Sequence, residues 1–287
     1  MPGAGLLFRS GSHRHPLPLR KRTMDNRLDN IVKTILDFDA MWQVFPQLHM
    51  IGLVNTLVIS VSATVIGIVL GMVVAIMGIS PSRWLRIPAR IYTDIFRGLP
   101  AILTILLIGQ GFARLSQQIF GPSPYPLGIL ALSLIASAYI GEIFRAGIQS
   151  VDRGQIEACR ALGMSYGKAM RLVVVPQGVR RVLPALVNQF IAIVKDSSLV
   201  YFLGLLVSER ELFRVGQDAA VLTGNLSPLV MAGLFYLVIT VPLTHLVNYF
   251  DNRFRTGRRK ATPPKSGLDE VEEQRATPVA LTYGENS

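Results

Sequence analysis

Charged and amide side chains interrupt the long apolar stretches of this sequence at only a few positions. Glu142 lies in the stretch 127–148, and Lys195 and Asp196 lie near the middle of 183–207. Polar groups in apolar surroundings point inward, where they contact a polar solute or pair with one another to hold helices together. The candidates for solute contact are Glu142, Asn188, Lys195, Asp196, Ser197 and Ser198, with Asn55 as a further inward-pointing residue. For Glu142 the structural alternative is an ion pair with Arg145 or Arg97.

Other kinds of chemistry find little support in the sequence. The four histidines are scattered, and the single cysteine, Cys159, excludes an internal disulfide and a cysteine-based metal cluster. The segment 163–169 (GMSYGKA) is one residue short of a phosphate-binding loop between its glycines and lacks Ser or Thr after Lys168. No serine–histidine–aspartate set or carboxylate pair suits hydrolysis. We therefore predict no catalytic, metal or cofactor site in this chain.

The composition is that of a membrane protein. Half of the 287 residues are hydrophobic, 16% are charged and the mean hydropathy is +0.42. The charges fall into short blocks that leave uncharged runs of the roughly 20 residues a bilayer-crossing helix needs. Although the net charge of +11 would suit nucleic-acid binding, lysines and arginines beside apolar runs mark the cytoplasmic ends of membrane spans. We therefore expect contact with membrane lipid and no nucleic-acid partner.

The apolar runs predict an all-α membrane protein with five transmembrane helices in residues 49–250. The spans are expected at about 50–79, 91–113, 127–148, 183–207 and 227–250. A helix in 183–207 must include both Lys195 and Asp196, because the pieces on either side are too short to cross. Neighbours about 100° apart on a helix do not face each other, so these two charges need different partners.

The flanking segments have a different character. Residues 1–48 form an N-terminal arm that we expect to be disordered, with an interfacial helix over about 31–48. Residues 251–287 begin basic, become proline-rich and acidic, and are expected to be a disordered tail.

In the first span, small residues at near-helical spacing predict close packing against another helix; they are Gly52, Ser60, Ala63, Gly67, Gly71 and Gly78.

The distribution of basic residues predicts the orientation. Sixteen lysines and arginines lie near 80–97, in 145–181 and just after 250, against only Arg114, Arg210 and Arg214 in the opposing loops. The positive-inside rule therefore places the C-terminus in the cytoplasm and the N-terminus outside. The basic residues of the N-terminal arm argue the other way, but they lie mostly too far from the first span for the rule to count them.

The cytoplasmic segment 150–178 is predicted to be a helix–turn–helix. Helix-forming residues occupy 155–162, and Gly163 supplies a turn that permits positive φ. Ser165 is expected to cap a second helix over 166–175, and Pro176 to end it. Two short helices held between spans form a rigid projection that a partner's groove could accept. The alternative is an amphipathic surface loop without a partner.

The order GQIEACRALG followed by VVVPQ resembles the EAA loop of ABC-importer permeases. Further matches are similar to the five-span permeases for polar amino acids (histidine, glutamine, glutamate and arginine), and the resemblance covers about residues 52–249. These matches include Tyr92, RGLP at 97–100, Ala138-Tyr139 with Glu142 and Arg145, Pro184, Asn188 and KDSSL at 195–199. One departure is Cys159, where the family pattern has its second alanine.

The resemblance implies the ABC type I importer permease fold and a subunit of an amino-acid uptake system in the plasma (inner) membrane. The residues that would couple it to the ATPase are Gly154, Gln155, Glu157, Ala158, Leu162, Gly163 and Pro176. Implied partners are cytoplasmic ABC ATPase subunits, which hold the ATP and Mg²⁺, a second permease chain that is identical or homologous, and an extracytoplasmic amino-acid-binding protein. The alternatives are an ion-driven secondary carrier and a membrane scaffold without transport activity.

Overall fold

The computed structural model describes residues 33–256, of which 250–256 are described by their backbone alone. Over this part the chain is helical and has no β-strand, so the all-α prediction is confirmed there. The α-helices are, in order, α1 (Phe38–Gln47), α2 (Leu53–Ile79), α3 (Arg83–Gly98), α4 (Ala101–Gly111), α5 (Ala113–Phe120), α6 (Tyr125–Gln149), α7 (Arg153–Ala161), α8 (Tyr166–Ala169), α9 (Val175–Arg181), α10 (Leu183–Asp196), α11 (Leu212–Thr223) and α12 (Ser227–Thr256). The predicted disorder of residues up to 32 and from 257 lies outside the described residues.

Four helical segments in the described part are long and apolar enough to cross a membrane. They are Lys33–Ile79, Tyr125–Gln149, Leu183–Leu203 and Ser227–Tyr249. Helices α3 and α4 qualify only together, and they meet at a bend of 106°. The protein thus has four continuous candidate crossings, and a fifth if the bent pair forms one span.

The bend between α3 and α4 falls within the expected span 91–113. Leu99 is extended, with φ −83° and ψ 143°, and Pro100 follows it. A residue before proline disfavours the helical region, and proline has no N–H to continue the helix. The motif RGLP therefore breaks the helix, where the sequence interpretation had only an uninterrupted span.

The N-terminal segment of the described chain is helical and continues into the first span, and its interfacial position stays a prediction. A π-helical turn, Leu48–Gly52, joins α1 to α2. Pro46 lies inside α1 and removes a backbone donor, and the wider turn that follows keeps the chain helical. Asp37 is extended and caps α1, because its carboxylate accepts from the backbone N–H groups of Asp39 and Ala40.

The core lies where α2 packs along α6. A Cβ atom added at Gly71 would lie 2.9 Å from the carbonyl oxygen of Ser137 and 3.0 Å from the nitrogen of Gly141. Only hydrogen at this position allows the two backbones to approach so closely. Five of the six predicted small residues are buried (Gly52, Ser60, Ala63, Gly67 and Gly71), so the expected close packing is confirmed. Gly78 is partly exposed.

Helix α10 ends at Asp196, and a 3₁₀ segment, Ser197–Leu203, prolongs the helical path to Gly204. This path includes both Lys195 and Asp196, as the length argument required. On the opposite side from the 150–178 loop in the predicted topology, α11 forms a helix between spans that the sequence interpretation did not contain. It packs against α12 and the π-helical turn.

Candidate functional site

The segment 150–178 begins with a capped helix. The Asp152 carboxylate accepts a hydrogen bond from the backbone N–H of Gly154 at 2.7 Å, and α7 follows. Gly163 ends this unit with φ +82°, in the region that only glycine enters without strain. The predicted turn at Gly163 is confirmed, whereas the cap at Asp152 was not anticipated.

The second half of the segment differs from its prediction. Ser165 caps α8, because its hydroxyl accepts from the backbone N–H of Lys168 at 3.4 Å. The expectation that Pro176 ends this helix is wrong, since the helical course continues through the π-helical turn Met170–Val174 into α9. Pro176 lies in the first turn of α9, where a missing N–H costs little.

One side of this segment is anchored on the spans. Ile148, Val151 and Val174 form a small buried cluster that also contacts Ile79 at the end of α2 and Ile156 of α7. Arg181 donates to the carbonyl oxygen of Ser150, which joins the end of the segment to its beginning. A displacement of the segment therefore acts directly on the ends of α2 and α6.

The other side of the segment is exposed. Leu162 is 83% exposed at the turn, although a leucine gains free energy by burial. The remaining predicted coupling residues are also exposed, namely Gly154, Gln155, Glu157, Ala158, Gly163 and Pro176. This distribution suits a partner that covers one side while the other side stays fixed to the spans.

Glu142 lies in a charged cluster beside a cavity. Its carboxylate accepts from Arg145 Nε at 2.9 Å and lies 3.7 Å from Arg97 Nη1. The Arg97 guanidinium also lies over the Tyr139 ring, 5.3 Å from its centre. Both predicted ion-pair partners are thus present. The same three charged side chains border a cavity of about 380 Å³, to which Thr93 contributes as well.

Two residues that line this cavity, Arg90 and Asp94, were not predicted from the sequence to contact a solute. The sequence contains a pattern from which the position of Arg90 could have been predicted. Arginines recur at three-, four- and seven-residue steps, at Arg83, Arg86, Arg90 and Arg97. Such steps place side chains on one face of a helix. Apart from Arg97, which was a candidate ion-pair partner of Glu142, these arginines had been interpreted only as markers of the cytoplasmic side.

The polar residues of α10 and of the 3₁₀ segment that follows it do not join this cavity; its lining lacks Asn188, Lys195, Asp196, Ser197 and Ser198. Lys195 is exposed, and Asp196 forms no ion pair or hydrogen bond within the described residues. Ser197 donates to the carbonyl oxygen of Val194 and Ser198 to that of Lys195, both at 2.7 Å. The predicted solute contacts therefore fall into two separate groups.

The loop before α11 contains a buried carboxylate that the sequence interpretation missed. Glu211 is 0% exposed, caps α11 through the N–H of Arg214 at 2.8 Å, and accepts from the Tyr236 hydroxyl at 3.2 Å. Burial raises the pKa of Glu211 to about 7, although these hydrogen bonds act to lower it. Asn55 donates to the carbonyl oxygens of Ser208 and Arg210, at 2.8 and 3.1 Å, and so ties α2 to the same loop.

Known proteins resemble this chain over most of its length. The family model for the "Binding-protein-dependent transport system inner membrane component" matches residues 67–256. The arginine transport system permease protein ArtQ of Bacillus subtilis is 37% identical over 224 residues, which cover 77% of this chain and 98% of that protein. The glutamate/aspartate import permease protein GltK of Escherichia coli is 37% identical over 214 residues, covering 70% and 91% respectively.

Solved structures agree with these sequence matches. A chain of an amino acid ABC transporter crystallised with histidines superposes with a TM-score of 0.66 at 34% identity, covering 76% of this chain and 99% of that one. A chain of the MetNI methionine ABC transporter superposes with a TM-score of 0.59 at 20% identity, which shows a shared fold alone.

Proposed function

The chain belongs to the family of binding-protein-dependent transport system inner membrane components and is a permease subunit of an amino-acid ABC importer; we propose that the segment 150–178 couples it to an ATPase. It is a multi-pass integral membrane protein, and its family is not itself an ATPase. Family membership supports ATP-coupled transport and gives no support to an ion-driven carrier or a scaffold.

The observation that carries the coupling proposal is the division of 150–178 into an anchored side and an exposed side. Docking of an ATPase on the exposed turn at Leu162 and Gly163 would bury a leucine that otherwise faces water. Movement of the docked segment would then pass through Ile156 and Val174 to the ends of α2 and α6. ATP and Mg²⁺ belong to the partner in this scheme.

The proposal includes the arrangement of the whole importer. ATPase subunits lie in the cytoplasm beside 150–178, and the α11 side faces outward, towards an extracytoplasmic binding protein. This puts the C-terminus inside and the N-terminus outside. A second permease chain, identical or homologous, completes the path. Labelling of intact cells with a membrane-impermeant maleimide tests the orientation: a cysteine introduced at Thr223 should react and one at Gln155 should not. The opposite result would contradict it.

We propose polar amino acids as the substrates, in line with the arginine and glutamate/aspartate systems named for the relatives. The Glu142 cavity would contact a charged or amino group of the substrate, and Asp196, which forms no ion pair in the described part, would do so at a second position. Asn188, Lys195, Ser197 and Ser198 remain weaker candidates for the path.

Leu162→Ala tests the coupling step. The variant removes an exposed side chain, so the fold should persist while the ATPase subunit is lost from the complex or is no longer stimulated by substrate. Leu222→Ala is the matched control, because Leu222 is 86% exposed but lies on α11. Unchanged co-purification and stimulated ATPase activity in Leu162→Ala would contradict the proposal, as would an equal loss of the ATPase in Leu222→Ala.

Glu142→Gln tests the substrate path. If Glu142 contacts substrate, the variant should raise the KM for uptake by reconstituted complexes and alter basal ATPase activity. Arg145→Gln is the comparison, because a purely structural ion pair predicts that both variants lose stability alike and keep the wild-type KM. Normal uptake kinetics and basal ATPase activity in Glu142→Gln would rule out the path role.

A further inference from the structure

A second cavity, of about 530 Å³, lies between α3 and the segment 150–178. Its lining includes four arginine side chains, Arg86, Arg90, Arg145 and Arg153, and no carboxylate. Its floor is formed by residues of the segment, among them Tyr166. The volume is in the range of small-ligand pockets. The cavity is separate from the one beside Glu142, although Arg90 and Arg145 border both.

Three of these four guanidinium groups have no anionic partner. Arg145 is neutralised by Glu142. Arg86, Arg90 and Arg153 form no ion pair and donate no side-chain hydrogen bond within residues 33–249. Three carboxylates lie within four residues of these arginines along the chain, Asp94, Asp152 and Glu157, but none of them lines this cavity; Asp152 caps α7, and Asp94 borders the first cavity, as Arg90 also does. Uncompensated positive charge converging on one cavity favours an anionic ligand.

The other face of α3 indicates where this cavity lies. Trp84 is 90% exposed, and Leu85, Ile87 and Ile91 are exposed as well. Exposed apolar side chains with a tryptophan at the helix start are typical of a helix in the membrane interface. The arginine-lined cavity then lies at the depth of the phospholipid headgroups on the proposed cytoplasmic side.

We propose that Arg86, Arg90 and Arg153 form a binding site for a phosphate group, supplied by an anionic phospholipid of the inner leaflet or by free phosphate. Guanidinium groups bind phosphate oxygens through paired N–H donors, which a chloride ion does not match. A bound phosphate would join α3, through Arg86 and Arg90, to α7, through Arg153. It would thus hold the coupling segment against the spans. The site itself does not depend on the identity of the transported amino acid.

The test measures binding to the full chain, purified in mild detergent with its accompanying subunits. Native mass spectrometry compares added phosphatidylglycerol with phosphatidylcholine, and a thermal-shift titration compares inorganic phosphate with chloride at equal ionic strength. The variants are Arg86→Gln, Arg90→Gln and their double mutant. Arg83→Gln is the matched control, because Arg83 lies on the same helix but outside the cavity lining.

We expect each removed cavity charge to weaken phosphatidylglycerol binding about five-fold, in line with the usual contribution of one basic residue near an anionic surface. Arg83→Gln should retain nearly wild-type binding. A lipid source predicts this pattern with phosphatidylglycerol alone, and a free-phosphate source predicts the same arginine dependence with inorganic phosphate. Melting curves without either probe show whether the variants remain folded.

Three results would overturn the proposal. An equal loss of phosphatidylglycerol binding in Arg83→Gln would mean general attraction to the protein surface. The other two are unchanged binding in the double mutant, and no difference between phosphate and chloride together with no difference between the two lipids. Binding is measured without transport, so its failure leaves the permease role untouched. Conversely, a complex that binds the probes but does not transport would contradict the proposed function alone.

Discussion

Two of the loops that contain helices between spans, the α7 loop and the α11 loop, share a local design and differ in their surroundings. Each helix begins at an acidic cap, Asp152 for α7 and Glu211 for α11. Each ends at a glycine with positive φ, +82° at Gly163 and +62° at Gly224. Asp152 is exposed, however, whereas Glu211 is fully buried against the spans.

In the proposed scheme, this difference separates a segment that moves with the ATPase from one that holds the spans together. The α7 loop contacts the spans on one side and is exposed on the other. The α11 loop is joined to α12 through Tyr236 and to α2 through the hydroxyl of Thr56, which accepts from the N–H of Leu212 at 3.1 Å. Two loops with the same local pattern of cap and glycine therefore contribute different amounts to the free energy of unfolding.

The largest expected effect is that of removing the buried cap. Glu211→Ala leaves two backbone N–H groups and the Tyr236 hydroxyl without their acceptor, and we expect a loss of about 4 kcal/mol, from roughly 1–3 kcal/mol for each buried unpaired group. Asp152→Ala should cost only about 1 kcal/mol, because water reaches the freed N–H. Unfolding of the purified protein in denaturant measures both, and similar losses would erase the distinction between the loops.

The next effect is a pH dependence confined to the α11 loop. The pKa of Glu211 is raised, so its contribution to stability is complete below the ordinary glutamate pKa and is lost as the pH rises through about 7. The total change is on the order of 3 kcal/mol, from 1.36 kcal/mol per unit of pKa shift. Melting temperatures measured from pH 4 to pH 8 should decline more for the wild type than for Glu211→Gln.

Glu157→Gln is the control for that measurement. Glu157 is exposed on α7, and its substitution should leave the pH profile of the wild type in place. A profile that flattens equally in Glu157→Gln, or that persists unchanged in Glu211→Gln, would show that another group is responsible for the decline.

The smallest expected effect is that of replacing the glycine that ends each of the two loop helices. Gly163→Ala and Gly224→Ala each place a side chain in the left-handed region, at a cost of roughly 1–2 kcal/mol. Stability should therefore fall by similar amounts. Only Gly163→Ala should also lower the substrate-stimulated ATPase activity of reconstituted complexes, because in the proposed arrangement only that turn faces the ATPase. Equal activity losses would assign the effect to general destabilisation.

Sequence patterns predicted much of this protein for reasons that are local. Uncharged runs of sufficient length indicate membrane helices whatever surrounds them, and Gly163 and Ser165 have strong turn and cap preferences. The same local reasoning failed at Pro176, where a π-helical turn lets the helix continue. It also missed α11, a helix between spans whose N-terminal glutamate is buried by distant residues.

The candidate site shows the same limit. Sequence indicated that Glu142, Lys195 and Asp196 are unusual in apolar stretches, but not which of them lie together. The fold places Glu142 with Arg97 and Arg145, because α3 packs against α6, and it leaves Asp196 outside their cavity. The ion pair between Arg97 and Glu142, which are 45 positions apart, depends on how these two helices pack.

Composition, charge bias and turn residues thus suffice for an all-helical membrane protein with a helix–turn–helix between spans, because each acts through neighbours in the chain or through the bilayer. The prediction of a permease came from the resemblance of its motifs to a known family. Long-range packing decides which acid is buried, which glycine permits helix contact and which arginines border a common cavity. Those outcomes depend on how α2, α3 and α6 pack against one another, which cannot be predicted from a short stretch of sequence.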